Sequence, residues 1–258
     1  MNADAIRDSL VDAASAPYRA AGRFAWHFAR GKLGGDPAFA GLLERGLIPD
    51  GDRLLDLGCG QGLLASWLLT AGAHYAAGNW PTHWRRPPRL GAIAGIELMP
   101  RDVDRARAAL GGAAEFTAGD IRSAEFGKAG AIVILDVLHY VDYAAQDAVL
   151  RRVRDALLPS GTLLVRVGDA AGGWGFRWSN WVDRAVMFAR GHGYVRLYCR
   201  PLAEWKNALA ALGFSVEAIP MSAGTPFANV LLRARVSWAA EWHGRSSILP
   251  VSAARQYR

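Results

Sequence analysis

Residues 53–62, RLLDLGCGQG, decide the fold. A short apolar run, LLDL, leads straight into glycines at 58, 60 and 62, and LLASWLLTA follows with helical spacing. Glycines let the backbone take positive φ and approach a ligand closely, and the helix N-terminus behind them presents free N–H groups to acceptor atoms. The stretch therefore predicts a strand, a tight loop and a helix that together cradle a nucleotide-like ligand. Its glycine spacing is GxGxG, not the GxGxxG of dinucleotide sites, and an acid, Asp56, stands just before the first glycine.

On both sides of this loop, apolar runs alternate with longer segments of helical period, the pattern of a parallel sheet with crossover helices. Strands are predicted near 53–58, 92–98, 114–118, 131–136, 161–167, 214–220 and 228–235, and helices over 62–71, 101–110, 145–157 and 202–212. Leu63, Leu64, Trp67, Leu68 and Ala71 share one helix face, with Gly72 placed to end it. No helix fits between the last two strands, so they should pair as antiparallel neighbours at one margin of the sheet. Four segments lie outside this plan: the N-terminal stretch, an excursion over 74–91, a connection over 168–200, and the tail.

Composition narrows the class. A chain of 258 residues buries a core without disulfides or metal. Cys59 and Cys199 form no CxxC pair, which fits a reducing compartment. No apolar run reaches the roughly 18 residues of a spanning helix, and Asp4, Arg7, Asp8, Asp12 and Arg19 interrupt any signal core, so a cytoplasmic location is expected. The formal net charge is +7, but the basic residues are scattered and form no stripe, which argues against a nucleic-acid partner. No HExxH or other ligand spacing suggests a metal.

The loop 53–62, the acid Glu97 closing GAIAGIEL, the turn AGDI at 118–121, the run AIVILDVLHYV at 131–141 and LLPSGTLLVRV at 157–167 occur in an order that resembles the class I S-adenosylmethionine-dependent methyltransferases over roughly residues 50–236. The resemblance implies a doubly wound, seven-stranded, mostly parallel α/β sheet with one antiparallel edge strand, a Rossmann-like methyltransferase fold. Its domain plan is an N-terminal helical cap over 1–50, a cofactor-binding domain over 51–236 with insertions at 74–91 and 168–200, and a C-terminal tail over 237–258. It implies S-adenosylmethionine as cofactor. Asp56, Gly58, Cys59, Gly60 and Gly62 would hold the methionine portion, Glu97 with Leu98 the ribose end, and Asp120 with Ile121 the adenine. Asp136, at the end of the fourth strand, would adjoin the reactive sulfonium. Glu97 lies farther from the glycines than is usual, a departure that the excursion accounts for.

Methyl transfer needs an acceptor held in line and, for an acidic acceptor, removal of its proton. His139 is the candidate general base and Tyr140 its neighbour, since imidazole titrates near neutrality; local packing is the competing role for His139. In 172–199, Trp178, Trp181, Val182, Ala185 and Phe188 repeat at helical spacing, a face suited either to covering an aromatic or acyl substrate or to packing on the domain. The excursion, with Trp80, Trp84, Arg85, Arg86 and Arg89 and no acid, should lie far from the methyl group. It suits a surface loop, a subunit contact or a peripheral membrane contact.

The expected function is methyl transfer to a small molecule. GRFAWHFARGKL, IELMPRDV and GDAAGG resemble methyltransferases of aryl-polyene and polyketide pigment clusters, which implies an aromatic or polyketide-like acceptor. An RNA or protein methyltransferase, and a non-catalytic partner that binds S-adenosylmethionine or S-adenosylhomocysteine, are the alternatives.

Overall fold

Strand β1, Gly51–Leu57, is the centre from which the sheet is built. Going outward on one side it pairs in parallel with β2 (Leu90–Glu97), which pairs with β3 (Glu115–Ala118). On the other side it pairs with β4 (Ala129–Leu135), then β5 (Leu157–Gly168), again in parallel. The described residues of this computed structural model are 3–168, 196–222 and 229–236. The expected aromatic helix within 172–199 and the tail over 237–258 lie almost wholly outside them.

The complete order is β3-β2-β1-β4-β5-β7-β6, with β6 spanning Phe214–Pro220 and β7 spanning Asn229–Val236. The expected reversal is present at this margin, and the strand that carries it, β7, sits one place in from the last, antiparallel to both β5 and β6. Strand order reverses between β1 and β4, so a crevice opens beyond their carboxyl ends.

Two apolar layers follow from the period-two alternation of the strands. Leu54, Ala131, Val133 and Leu164 face one layer. It is filled by α1 (Ala3–Ser15), α2 (Arg23–Gly35), α3 (Pro37–Glu44), α4 (Leu63–Ala76) and α5 (Pro100–Leu110). Leu55, Ile132, Ile134, Leu163 and Val165 face the opposite layer, filled by α6 (Tyr143–Ala156) and α7 (Leu202–Ala211). Asp56 and Arg166 fall on the first face by the same alternation, and this decides their partners.

The N-terminal helices are hooked to α4 by buried polar side chains. Gln61 Nε2 donates to Ala25 O at 2.8 Å, Ser66 Oγ to Ala14 O at 2.7 Å and Trp67 Nε1 to Phe39 O at 2.8 Å. Each bond satisfies a side-chain donor that burial would otherwise leave costly.

Gly72 does not end α4, which continues to Ala76 and stops where Gly78 takes φ 75°. A glycine terminates a helix by adopting the left-handed conformation, and Gly72 stays helical. Beyond it the excursion lies at the amino ends of β1 and β2, where Gly51 N donates to Arg89 O at 3.1 Å. Trp84 is buried in the first layer and Trp80 packs edge-on against it, 5.5 Å between ring centres. Arg86 and Arg89 pair with Asp50. Trp84 thus anchors the excursion on the first apolar layer and Asp50 holds two of its arginines, while the side chains of Arg85, Arg86 and Arg89 stay exposed.

Candidate active site

Three of the loop glycines have left-handed φ, and their surroundings differ. A Cβ on Gly58 would stand 2.3 Å from Val137 Cγ2, and one on Gly62 2.8 Å from the Phe116 ring, so both are required by packing as well as by φ. A Cβ on Gly60 would meet nothing within 4 Å. The loop is therefore clamped at both ends and open in the middle, as close backbone approach to a ligand needs.

The end of β2 is wired to this loop. Glu97 is half-buried; its Oε2 accepts from Gly60 N at 2.9 Å and its Oε1 from Met99 N at 3.0 Å. The next side chain, Leu98, is apolar and 59% exposed, an open flat surface beside the acid. Gly119 N donates to Glu97 O at 2.9 Å, which brings Asp120 and buried Ile121 to the same edge. Asp120 is held by Arg122, whose Nε and Nη2 donate to its carboxylate, and these bonds keep the carboxyl below its usual range.

Beneath the loop, Asp56 is buried, and no hydrogen bond within the chain reaches its carboxylate among the described residues. Burial first, and the nearby Glu97 charge second, push its pKa up to about 7. Tyr18, from the turn between α1 and α2, is fully buried within electrostatic reach of Asp56. Cys59 turns its sulfur toward Gly95, and burial raises its thiol, so only its backbone faces the loop's open side.

At the end of β4, Asp136 adopts φ 57° and points into a cluster of charge. Arg166 of β5, whose side chain is 1% exposed, donates to both oxygens of Asp136 and to both oxygens of Asp36, the residue between α2 and α3. Lys32 Nζ adds 2.8 Å and 3.8 Å contacts to Asp36 and Asp136. Burial would raise the Asp136 carboxyl, but Arg166 and Lys32 outweigh it and the net shift is downward.

After Asp136 the chain makes a short 3₁₀ turn, Leu138–Tyr140. The rings of His139 and Tyr140 are 4.2 Å apart. Burial lowers the pKa of His139; Asp136 opposes that shift and Arg166 reinforces it. The turn is organised by Gln146, fully buried, which donates to Leu138 O, Val141 O and Tyr198 O at 2.8–3.0 Å.

Residues 25–219 match the family model described as a methyltransferase domain. The chain belongs to that family. Its fold and cofactor class are those of the S-adenosylmethionine-dependent methyltransferases. The match begins in α2 at Ala25, the residue whose carbonyl receives the Gln61 amide. Carboxy-S-adenosyl-L-methionine synthase of Chromohalobacter salexigens is 29% identical over 164 residues, which are 60% of this chain and 53% of that protein. The chain thus spans about half the length of this curated relative. An O-methyltransferase family protein from Burkholderia thailandensis superposes with a TM-score of 0.58 at 20% identity, over 85% of this chain and 62% of that one. Human N-acetylserotonin methyltransferase, solved with S-adenosylmethionine, gives 0.56 at 17% identity, over 86% and 58% of the two chains. At such identities the likeness is one of fold.

The methyltransferase fold brings Asp56, the glycine loop, Glu97, Leu98, Asp120, Ile121, Asp136, His139 and Tyr140 to the carboxyl edge of the sheet. Sequence reading missed Asp36, Gln146 and Arg166. Two of them had signals: Arg166 interrupts the apolar run LLVRV, and Gln146 lies on the inward face of α6 with Val149, Leu150 and Val153. Asp36 had only its position before Pro37, as a helix N-cap. Among the described residues no cluster of His, Cys, Asp or Glu could hold a metal, and no helix is long and apolar enough to cross a membrane.

Proposed function

We propose that this methyltransferase transfers the methyl group of S-adenosylmethionine to a small-molecule acceptor that is aromatic or polyketide-like. The observation that carries the reading is the alignment of an open glycine loop, the Glu97 carboxylate and the His139 turn along one edge of the sheet. The residues fit the cofactor: Gly60 leaves room for it, Asp56 holds a buried carboxylate that takes no hydrogen bond among the described residues, and Leu98 presents apolar surface.

On this reading Gly58, Cys59, Gly60 and Gly62 offer backbone to the methionine portion, and Asp56 faces its ammonium. Glu97 accepts from the ribose hydroxyls, while Leu98, Asp120 and Ile121 frame the adenine. The cofactor supplies the electrophilic methyl carbon. A ring nitrogen of His139 takes the proton from an acceptor hydroxyl or enol, Tyr140 steadies the imidazole, and Asp136 orders the turn that carries both. The residues over 1–50 act as a cap on the domain over 51–236.

An aromatic acceptor is supported by α2. Phe24 and Phe28 stack on one flank of this helix and Lys32 continues the row. Arg105 of α5 lies over the Phe24 ring at 4.8 Å, and Lys32 reaches Asp136, so the row runs along the strand ends from α5 to β4. Phe24 is 57% exposed there, an apolar wall for a planar substrate. The test is calorimetric binding of S-adenosylmethionine, then transfer of a labelled methyl group to a panel of phenols and enols. Absence of cofactor binding, or transfer only to RNA or protein, would overturn the proposal.

Glu97→Gln should weaken S-adenosylmethionine binding by about 1–3 kcal/mol, because an amide replaces one charged acceptor by a donor. Calorimetry on a variant that keeps its thermal midpoint measures this. Wild-type affinity would remove Glu97 from the ribose site.

A further inference from the structure

The Arg166 cluster joins elements that are remote in sequence. Arg166 and Asp36 are separated by 130 positions, and Arg166 and Asp136 by 30. Four charge-assisted hydrogen bonds leave one guanidinium: Nε and Nη2 to Asp136, Nη1 and Nη2 to Asp36, with the Asp36 bonds at 2.5 and 2.7 Å. Such a fork fixes direction as well as distance, and no other side chain matches two carboxylates in one plane.

Each partner sits at a junction. Asp36 ends α2 and caps α3, its side chain accepting from Ala38 N at 3.0 Å. Asp136 starts the turn to His139, and its left-handed backbone places Val137 against Gly58. Asp136 N also donates to Arg166 O at 3.4 Å, so main chain and side chain both tie β4 to β5 here. A buried ion cluster is weak evidence for stability, because desolvation offsets much of the Coulomb gain; fixing one geometry is its better-attested use.

We propose that Arg166 is a positioning residue that locks the α2–α3 junction to the Asp136 turn, so that the wall carrying Phe24 and Phe28 and the turn carrying His139 are held in one fixed relation. This rests on the reading of the β4 end as part of the active site. Asp136 is then a structural counter-ion of Arg166 and does not contact the cofactor's sulfonium directly.

Two variants separate this from simple anchoring. Arg166→Lys keeps the charge but cannot form both forks. Asp36→Asn removes the ion pair on the helix side alone and retains an acceptor for the α3 cap. In both, amide hydrogen exchange should accelerate by about ten-fold or more over 23–44 and 136–141 together, with 51–57 unchanged. Affinity for S-adenosylhomocysteine should fall by about ten-fold, and the His139 imidazole resonances should shift. Faster exchange over 23–44 alone, with affinity and His139 resonances as in the wild type, would reduce the cluster to an anchor and overturn the proposal. Should Arg166→Lys fail to fold, Asp36→Asn decides. If wild-type protein does not bind S-adenosylhomocysteine, the methyltransferase reading fails, while the two exchange patterns still judge the lock.

Discussion

Asp56→Asn should stabilise the ligand-free protein above pH 7 while weakening its hold on S-adenosylmethionine about a hundred-fold. The two effects have one cause. Asp56 is buried without a hydrogen-bond donor among the described residues, and burial together with Glu97 lifts its pKa from 3.8 to about 7. Between pH 4 and pH 7 the unfolded chain has already released this proton while the folded chain still holds it. This group's contribution to stability is therefore greatest below about pH 4, falls across that window, and stays low above it. A displacement of about three units at about 1.4 kcal/mol each sets a ceiling near 4 kcal/mol. An unsatisfied buried amide takes back about 1–3 kcal/mol at every pH, so a gain of about 1–3 kcal/mol remains at pH 8 and turns into a loss of about 1–3 kcal/mol near pH 4. The cofactor's ammonium would match the carboxylate, and losing one side of a buried charge pair costs about 3 kcal/mol, the hundred-fold stated. Thermal unfolding of both proteins at pH 5 and pH 8, with and without cofactor, measures both effects. A mutant less stable than wild type at pH 8, or binding the cofactor as well, would mean that Asp56 is matched by something within the chain.

For His139→Ala we expect single-turnover methyl transfer to slow by about 10²–10⁴-fold, the usual worth of a general base, with cofactor affinity nearly kept. Burial holds the imidazole below its ordinary pKa, so the neutral, proton-accepting form persists through pH 7. The wild-type rate should be flat from pH 9 to pH 7 and decline only on the acid side of 6.5, with that limb missing in the mutant. The side chain also packs against Tyr140, and a purely packing role would lower stability and cofactor affinity together. Equal rates and equal pH profiles in the two proteins would leave catalysis to positioning alone.

The parts of this protein that were legible in the chain are those whose cause is local. A run such as LLDLGCGQG carries strand, loop and helix start within ten residues, because alternation, glycine conformation and helix periodicity are short-range constraints. Hence the seven strands of the sheet and the four α-helices described between β1 and β6 fell where the pattern put them, and Glu97, the first acid after the loop, closes β2 as expected. Gly72 marks the limit of local reading, since its residue type allows a stop that its helical backbone does not use.

Only the tertiary structure decided what depends on which face a helix covers. Alternation could put Arg166 and Leu164 on one side of β5, but not say that α2 and α3 would cover that side and bring Asp36 to the guanidinium. The excursion reads as a free basic aromatic loop until Trp84 is seen to anchor it in the first apolar layer and Asp50 to hold Arg86 and Arg89. Gln146 reads as one polar residue in an amphipathic helix until three carbonyls from separate segments converge on it. In each case the partner is chosen by chain topology. Burial then makes that choice binding, because a charge or amide removed from water must find its complement among whatever groups the fold has placed beside it.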